Sequence, residues 1–222
     1  MKTLTQHINE RLKLNQDRVR KYEFTPNTLD DLLNIIEEIT KQHKHDKVID
    51  LNMIDTSKIT DMTELFDGSN KQYNISEWNV SNVENMTGMF AYSEFNQDIS
   101  KWDVSNVRDM HNMFRCAEKF NQDISRWNVS NVEDMGCMFK DAFYFNQDIS
   151  KWDVSNVWDM QYMFYSSDFN QDISKWDVSN VENMTNIFFR SSFDKDLTPW
   201  VNKLNNEYKE NLLNYIKKYI KI

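Results

Sequence analysis

FNQDISKWDVSNVRDMHNMF, residues 95–114, is one copy of a pattern that runs through most of the chain. Its tryptophan sets the period: Trp78, Trp102, Trp127, Trp152, Trp176 and Trp200 recur at intervals that differ by no more than one position. Self-similarity at a fixed spacing of roughly two dozen residues marks a repeat architecture and outranks residue-by-residue propensity. Ile54 stands one period before Trp78 in the matching context DLNMIDTSKITDMTELF, so the array begins near Asp50 with a degenerate first unit. The sixth unit runs from Asp172 through Phe188, and DLTPW at 196–200 opens a seventh.

Within the unit the apolar positions are Ile99, Trp102, Val104, Val107, Met110, Met113 and Phe114. Trp102 and Val104 are two apart, the spacing that puts both on one face of a short extended segment. Val107, Met110, Met113 and Phe114 follow at steps of three, three and one, which predicts one face of a helix of two to three turns. Ser105 is a candidate helix N-cap. In other units Ser81 with Glu84, Ser130 with Glu133 and Ser179 with Glu182 have the spacing of a capping box. A unit this small cannot bury a tryptophan, two methionines and two phenylalanines alone. The units are therefore expected to stack in register, with the Trp, Val, Met and Phe columns forming a continuous core. Phe95 and its equivalents belong to that core. The Asn and Asp of FNQD are expected to bond turn backbone groups in a ladder from unit to unit. A calcium ladder is the alternative, although the calcium-binding repeat needs a glycine-rich turn and the chain has three glycines.

Three segments follow from this reading: an N-terminal helical cap over 1–49, the repeats over 50–200, and a C-terminal capping helix over 201–222. At the front, a first helix is expected over about residues 4–18. Thr28 with Asp31 then caps a second, whose apolar face is Leu29, Leu32, Leu33, Ile35, Ile36 and Ile39. At the back, Leu204, Tyr208, Leu212, Tyr215, Ile216 and Tyr219 share a face over 202–221. Stacked repeats require such caps, although either helix could instead serve a partner or a membrane surface.

Composition narrows the function classes. Aromatic residues make up 14% of the chain, which places it among folded proteins. The net charge is −9, with the excess of carboxylates between residues 48 and 200, and this argues against nucleic acid as partner. The stretch from Met1 to Phe24 contains no apolar run long enough for a secretory leader, and no segment approaches a membrane span. No membrane insertion is expected. The expected location is cytoplasmic or phage-associated, with surface display only by a non-classical route. Cys116 and Cys137 read as reduced packing thiols.

The unit FNQDISKWDVSNVxxMxxMF resembles the repeat of the BspA-like leucine-rich repeat surface protein family, the bacterial lipoprotein repeat. The resemblance covers residues 50–200, and DIS, WDVSNV and MF recur in phase. It implies an α/β fold, namely a leucine-rich-repeat-type solenoid of six strand-helix repeats with helical caps at both ends. It also implies adhesive or protein-binding activity and no catalytic residues.

Residue chemistry agrees with a binding role. His7, His43, His45 and His111 do not stand at metal-ligand spacing with carboxylates, and the recurring serines have no histidine beside them. No enzyme activity, cofactor or metal is expected. The positions that vary between units follow the Ser and the MF pair, where packing does not dictate the residue. Unit five places Trp158, Tyr162 and Tyr165 on an outer helix face, and the loop before it adds Phe143 and Tyr144. These five are the candidate partner-binding residues. The bland alternative is that Phe143 and Tyr144 cover the core edge and Trp158 packs on its neighbour. A second candidate face holds Lys101, Asp103 and Ser105 with Arg126, Asn128 and Ser130, although a solvated charge ladder is the favoured reading of it. The expected function is a non-catalytic repeat scaffold for a protein partner, or alternatively a structural subunit of a larger assembly such as a cell-surface or phage particle. The oligomeric state stays open.

Overall fold

The computed structural model describes residues 22–201, 203–204 and 210 of the chain. The expected helix over 4–18 and nearly all of the expected C-terminal helix lie outside them. Among the described residues the regular elements are few: helix α1 (Leu29–Gln42), strands β1 (Val48–Asp50) and β2 (Gln72–Asn74), and the short helix α2 (Thr198–Val201). β1 and β2 pair in parallel, with Ile49 opposite Tyr73.

The expected solenoid of six strand-helix repeats is overturned. No helix follows any WDVSNV segment, and outside β1 and β2 strand pairing is reduced to single bridges, one between Phe24 and Ile54 and the others along Asp61, Asn85, Asp109, Asp134, Asp159 and Asn183. The chain makes turns instead. An apolar pair at i, i+3 fits a helix face, but it also brackets a β-turn whose ends point inward and whose middle points out. Hydrogen bonds close such turns from Trp102 N–H to the Ile99 carbonyl, Val107 to Val104, Met113 to Met110 and Ala117 to Phe114. The serine caps dissolve with the helices: Ser105 donates its own N–H to Asp103 Oδ1 at 3.1 Å, and the Glu84 N–H goes to the Thr60 carbonyl of the preceding coil.

Backbone accounting over residues 110–117 shows why this conformation is stable. The N–H groups of Met110, Asn112, Phe114 and Cys116 donate to the carbonyls of Asp134, Gly136, Met138 and Lys140 in the next coil, at 2.8–3.0 Å. Those of Met113, Arg115 and Ala117 close turns inside the coil, and that of His111 goes to Asp109 Oδ1. Every donor in the segment is used, half of them across the junction, as buried backbone requires. The same four bonds recur at each of five junctions, from Met62, Glu64, Phe66 and Gly68 to Met160, Tyr162, Phe164 and Ser166. An α-helix would spend these donors internally and leave the coils joined by side chains alone.

The turns require left-handed residues at two places per coil. Glu64, Gly88, Asn112, Cys137, Tyr162 and Asn186 form one column with φ between 53° and 61°. Gly68, Tyr92, Cys116, Asp141, Ser166 and Arg190 form the other, with φ between 53° and 65°. Each is the third residue of its turn, the place where a type II turn needs positive φ.

Stacking buries the expected columns. Phe66, Phe90, Phe114, Phe139, Phe164 and Phe188 lie face to face with centroids 5.5–5.7 Å apart. A second phenylalanine column, Phe95, Phe120, Phe145, Phe169 and Phe193, runs beside it, and within a coil the two rings come to 3.9–4.1 Å. The six tryptophans that set the period are 0–4% exposed. Each of their indole Nε1–H groups donates to the carbonyl of an isoleucine or leucine in the preceding coil, as Trp127 does to Ile99 at 3.2 Å. α1 is capped at Thr28, whose Oγ1 accepts from Asp31 N–H at 3.1 Å. It places Leu32, Ile35, Ile36 and Ile39 in the core, while Leu33 stays exposed. The asparagine of FNQD links coils: Asn96 Oδ1 accepts from Asn121 N–H at 3.0 Å and Gln122 Nε2 at 2.9 Å, and the bonds repeat from Asn121 and Asn146. The aspartate works within its own coil, Asp98 Oδ1 accepting from Ser100 N–H.

Candidate functional site

The two residues after each stacked core phenylalanine sit in the middle of a turn: Ala91 and Tyr92, Arg115 and Cys116, Lys140 and Asp141, Tyr165 and Ser166, Phe189 and Arg190, of which Ala91 alone is buried. The scaffold fixes their backbone and leaves their side chains free to vary. Lys140 extends over the next coil, its Nζ 5.2 Å from the Tyr162 ring centre and 5.1 Å from that of Tyr165. Those two rings meet edge to face at 5.7 Å, and Tyr165 stacks on Phe189 at 5.7 Å. Arg115 lies over Tyr92 at 5.2 Å, and Arg190 over Phe189 at 5.7 Å. Cations held this way gain from the ring quadrupole.

Of the five expected residues, the structure therefore brings Tyr162 and Tyr165 together. Phe143 (40% exposed) and Tyr144 (67%) lie in the loop between the two phenylalanine columns, with Tyr144 N–H donating to the Glu118 carbonyl at 3.3 Å. Trp158, 43% exposed, occupies the column of Arg108 and Glu133, which pair at 2.8 Å. Among the described residues no ring contact joins these three to the tyrosines. The outer helix face that would have united residues 158, 162 and 165 does not exist, because the segment is built of turns. Sequence reading passed over Tyr92, Arg115, Lys140, Phe189 and Arg190. The signal for them was present, since they occupy the variable positions after MF, but which ones meet depends on the coil register.

Titratable groups elsewhere have structural partners. Asp61, Asn85, Asp109, Asp134, Asp159 and Asn183 form a column whose Oδ1 atoms each accept the N–H two residues on. Burial raises the Asp159 carboxyl above its usual value. The His111 ring reaches Asp134 at 3.3 Å through the space left by Gly136, where a Cβ would come within 2.8 Å of the imidazole; the bond to Asp134 raises the His111 pKa. Burial pushes both thiols, Cys116 and Cys137, upward, away from thiolate chemistry. Among the described residues no group of three or more His, Cys, Asp or Glu is placed to hold a metal ion, and no helix is long and apolar enough to cross a membrane. An open cleft between α1 and the first coil is lined by Leu33, Ile36, Lys41, Leu65, Phe66 and Tyr73.

No curated protein and no solved structure matches the chain. One family model does, over residues 34–144 and again over 123–218, so that two overlapping placements span most of α1 and all of the repeats. With most of its length matched, the chain belongs to the family described as Mycoplasma protein of unknown function, DUF285.

Proposed function

We propose that this chain is a non-catalytic repeat scaffold that binds a protein partner through the turn surface following the MF pairs. The observation that carries the reading is the line of rings and cations at Tyr92, Arg115, Lys140, Tyr162, Tyr165 and Phe189, set on a backbone pinned by four hydrogen bonds per junction. Aromatic and basic side chains on a rigid support suit an interface, because little conformational entropy is lost on docking. The resemblance of the repeat to BspA-like surface proteins supports an adhesive role of the same kind. Replacing Tyr92, Tyr162, Tyr165 and Phe189 together by Ser tests the reading in a pull-down of chemically cross-linked partners. Loss of a discrete partner from a variant with an unchanged circular dichroism spectrum is expected, and undiminished recovery would remove the aromatic surface from consideration.

A further inference from the structure

We infer that the partner segment is acidic polypeptide, lying extended across the coils against Arg115, Lys140 and Arg190. The inference rests on the binding role proposed above and gives that surface its chemistry. The chain as a whole carries net charge −9, yet three cations stand in the turns after Phe114, Phe139 and Phe188: Arg115 and Lys140 in one column on coils three and four, and Arg190 in the neighbouring column on coil six. Among the described residues none of them forms an ion pair, whereas Arg108, Lys119 and Lys195 each have a carboxylate within 2.9 Å. Asp141, the carboxylate beside Lys140 in sequence, accepts instead from the Cys116 thiol at 3.9 Å.

Ring contacts decide between classes of ligand. Lys140 covers Tyr162 and Tyr165, Arg115 covers Tyr92, and Phe189 is flanked by Tyr165 and Arg190. With cations and other rings against these faces, the stripe is a poor stacking platform for sugar rings; what it offers outward is positive charge. Adjacent coils stand about 4.8 Å apart, so the cations extend over about 15 Å, the reach of five or so extended residues. An extended chain places alternate side chains on one face about 7 Å apart, which lets two or three carboxylates face the stripe at once.

The test is a fluorescence anisotropy titration of the full chain with a fluorescein-labelled (Glu-Ser)4 peptide, with (Lys-Ser)4 as the opposite-charge control. Saturable binding of the acidic peptide alone is expected. It should weaken roughly tenfold in the triple variant R115Q/K140Q/R190Q, since three surface ion pairs to the peptide are lost. The charge-preserving pair R115K/R190K should bind within about threefold of the parent on the same grounds. Three results would overturn the inference: equal binding of (Glu-Ser)4 by parent and triple variant, no binding of it up to millimolar concentration, or binding of a sulfated oligosaccharide in its place. Retained partner recovery by the cation triple, with recovery lost when Tyr92, Tyr162, Tyr165 and Phe189 are replaced by Ser, would sink the acidic segment and leave the binding role standing.

Discussion

The indole of Trp127 lies 4% exposed in the core and also donates to the Ile99 carbonyl, which already accepts the Trp102 N–H. The two contributions separate by substitution. Trp127→Ala should cost about 3–5 kcal/mol through lost burial and a residual cavity. Trp127→Phe keeps much of the apolar area, leaves the carbonyl its turn bond, and should cost about 1–2 kcal/mol. A Trp127→Phe variant as stable as the parent in urea denaturation would show that the cross-coil bond contributes nothing of its own. Backbone conformation is as specific as packing. Gly68 holds φ +65° with nothing within 4 Å of where a Cβ would stand, so Gly68→Ala measures left-handed strain alone, about 1–2 kcal/mol. A melting temperature unchanged by that substitution would contradict the turn assignment. At His111 the folded pKa is raised by the bond to Asp134, with Asp109 and Asp159 also facing the ring. The stability this adds is fully present below the ordinary imidazole value of about 6.5 and is lost as pH rises through the higher folded value. The stability gap between the parent and His111→Asn should therefore be widest in mild acid and close in alkali; a gap independent of pH would refute the assignment.

From Phe90 onward each coil closes between its two phenylalanines by one of two loops, and the choice explains why successive tryptophan intervals differ by one position. Where four residues intervene, a serine serves as the bridge: Ser93 Oγ donates to the Phe90 carbonyl at 2.8 Å and accepts from Phe95 N–H at 3.3 Å, and Ser167 and Ser191 repeat this. Where five intervene, the backbone of Ala117 or Ala142 makes a second turn, with Phe120 N–H donating to the Ala117 carbonyl and Phe145 N–H to that of Ala142. Deleting Tyr144 alone should leave the Phe145 N–H without its acceptor and cost about 1–3 kcal/mol. Deleting it together with Ala142→Ser restores the serine bridge, and most of that stability should return. Thermal denaturation of the two variants side by side decides the matter, and equal melting points would refute the pairing of loop length with serine. This rule was legible in the letters, since AYSE, YSSD and FRSS are shorter by one than RCAEK and KDAFY. Its physical meaning emerged only when the hydrogen bonds were known.

At the scale of the whole molecule, identical bonds recur coil after coil, so small pKa shifts add. Hydrogen bonds from Ser100, Ser125, Ser150 and Ser174 hold Asp98, Asp123, Asp148 and Asp172 below the usual carboxylate value. Depressed folded values mean stability that is present above the unfolded pKa of about 3.9 and lost as pH falls through the folded values. The combined Ser100, Ser125 and Ser150 to Ala variant should lose less stability between neutral pH and pH ~2.5 than the parent does; an equal acid loss in both would show that the serine hydroxyls do not hold these carboxylates down. The chain's own letters determined the period, the inward columns of Trp, Val, Met and Phe, the Thr28 cap of α1 and the places where variation is free. These follow from burial, which a side chain's polarity reports directly. Only the tertiary structure decided that the units are turns rather than strands and helices. The i, i+3 spacing serves a helix and a β-turn equally, and the choice belongs to N–H groups whose acceptors lie a full period away, in the next coil. For the same reason, no local pattern could announce that Lys140 rests on Tyr162 and Tyr165: that contact exists because the coils stack in register, and it is there that the proposed acidic partner would meet the chain.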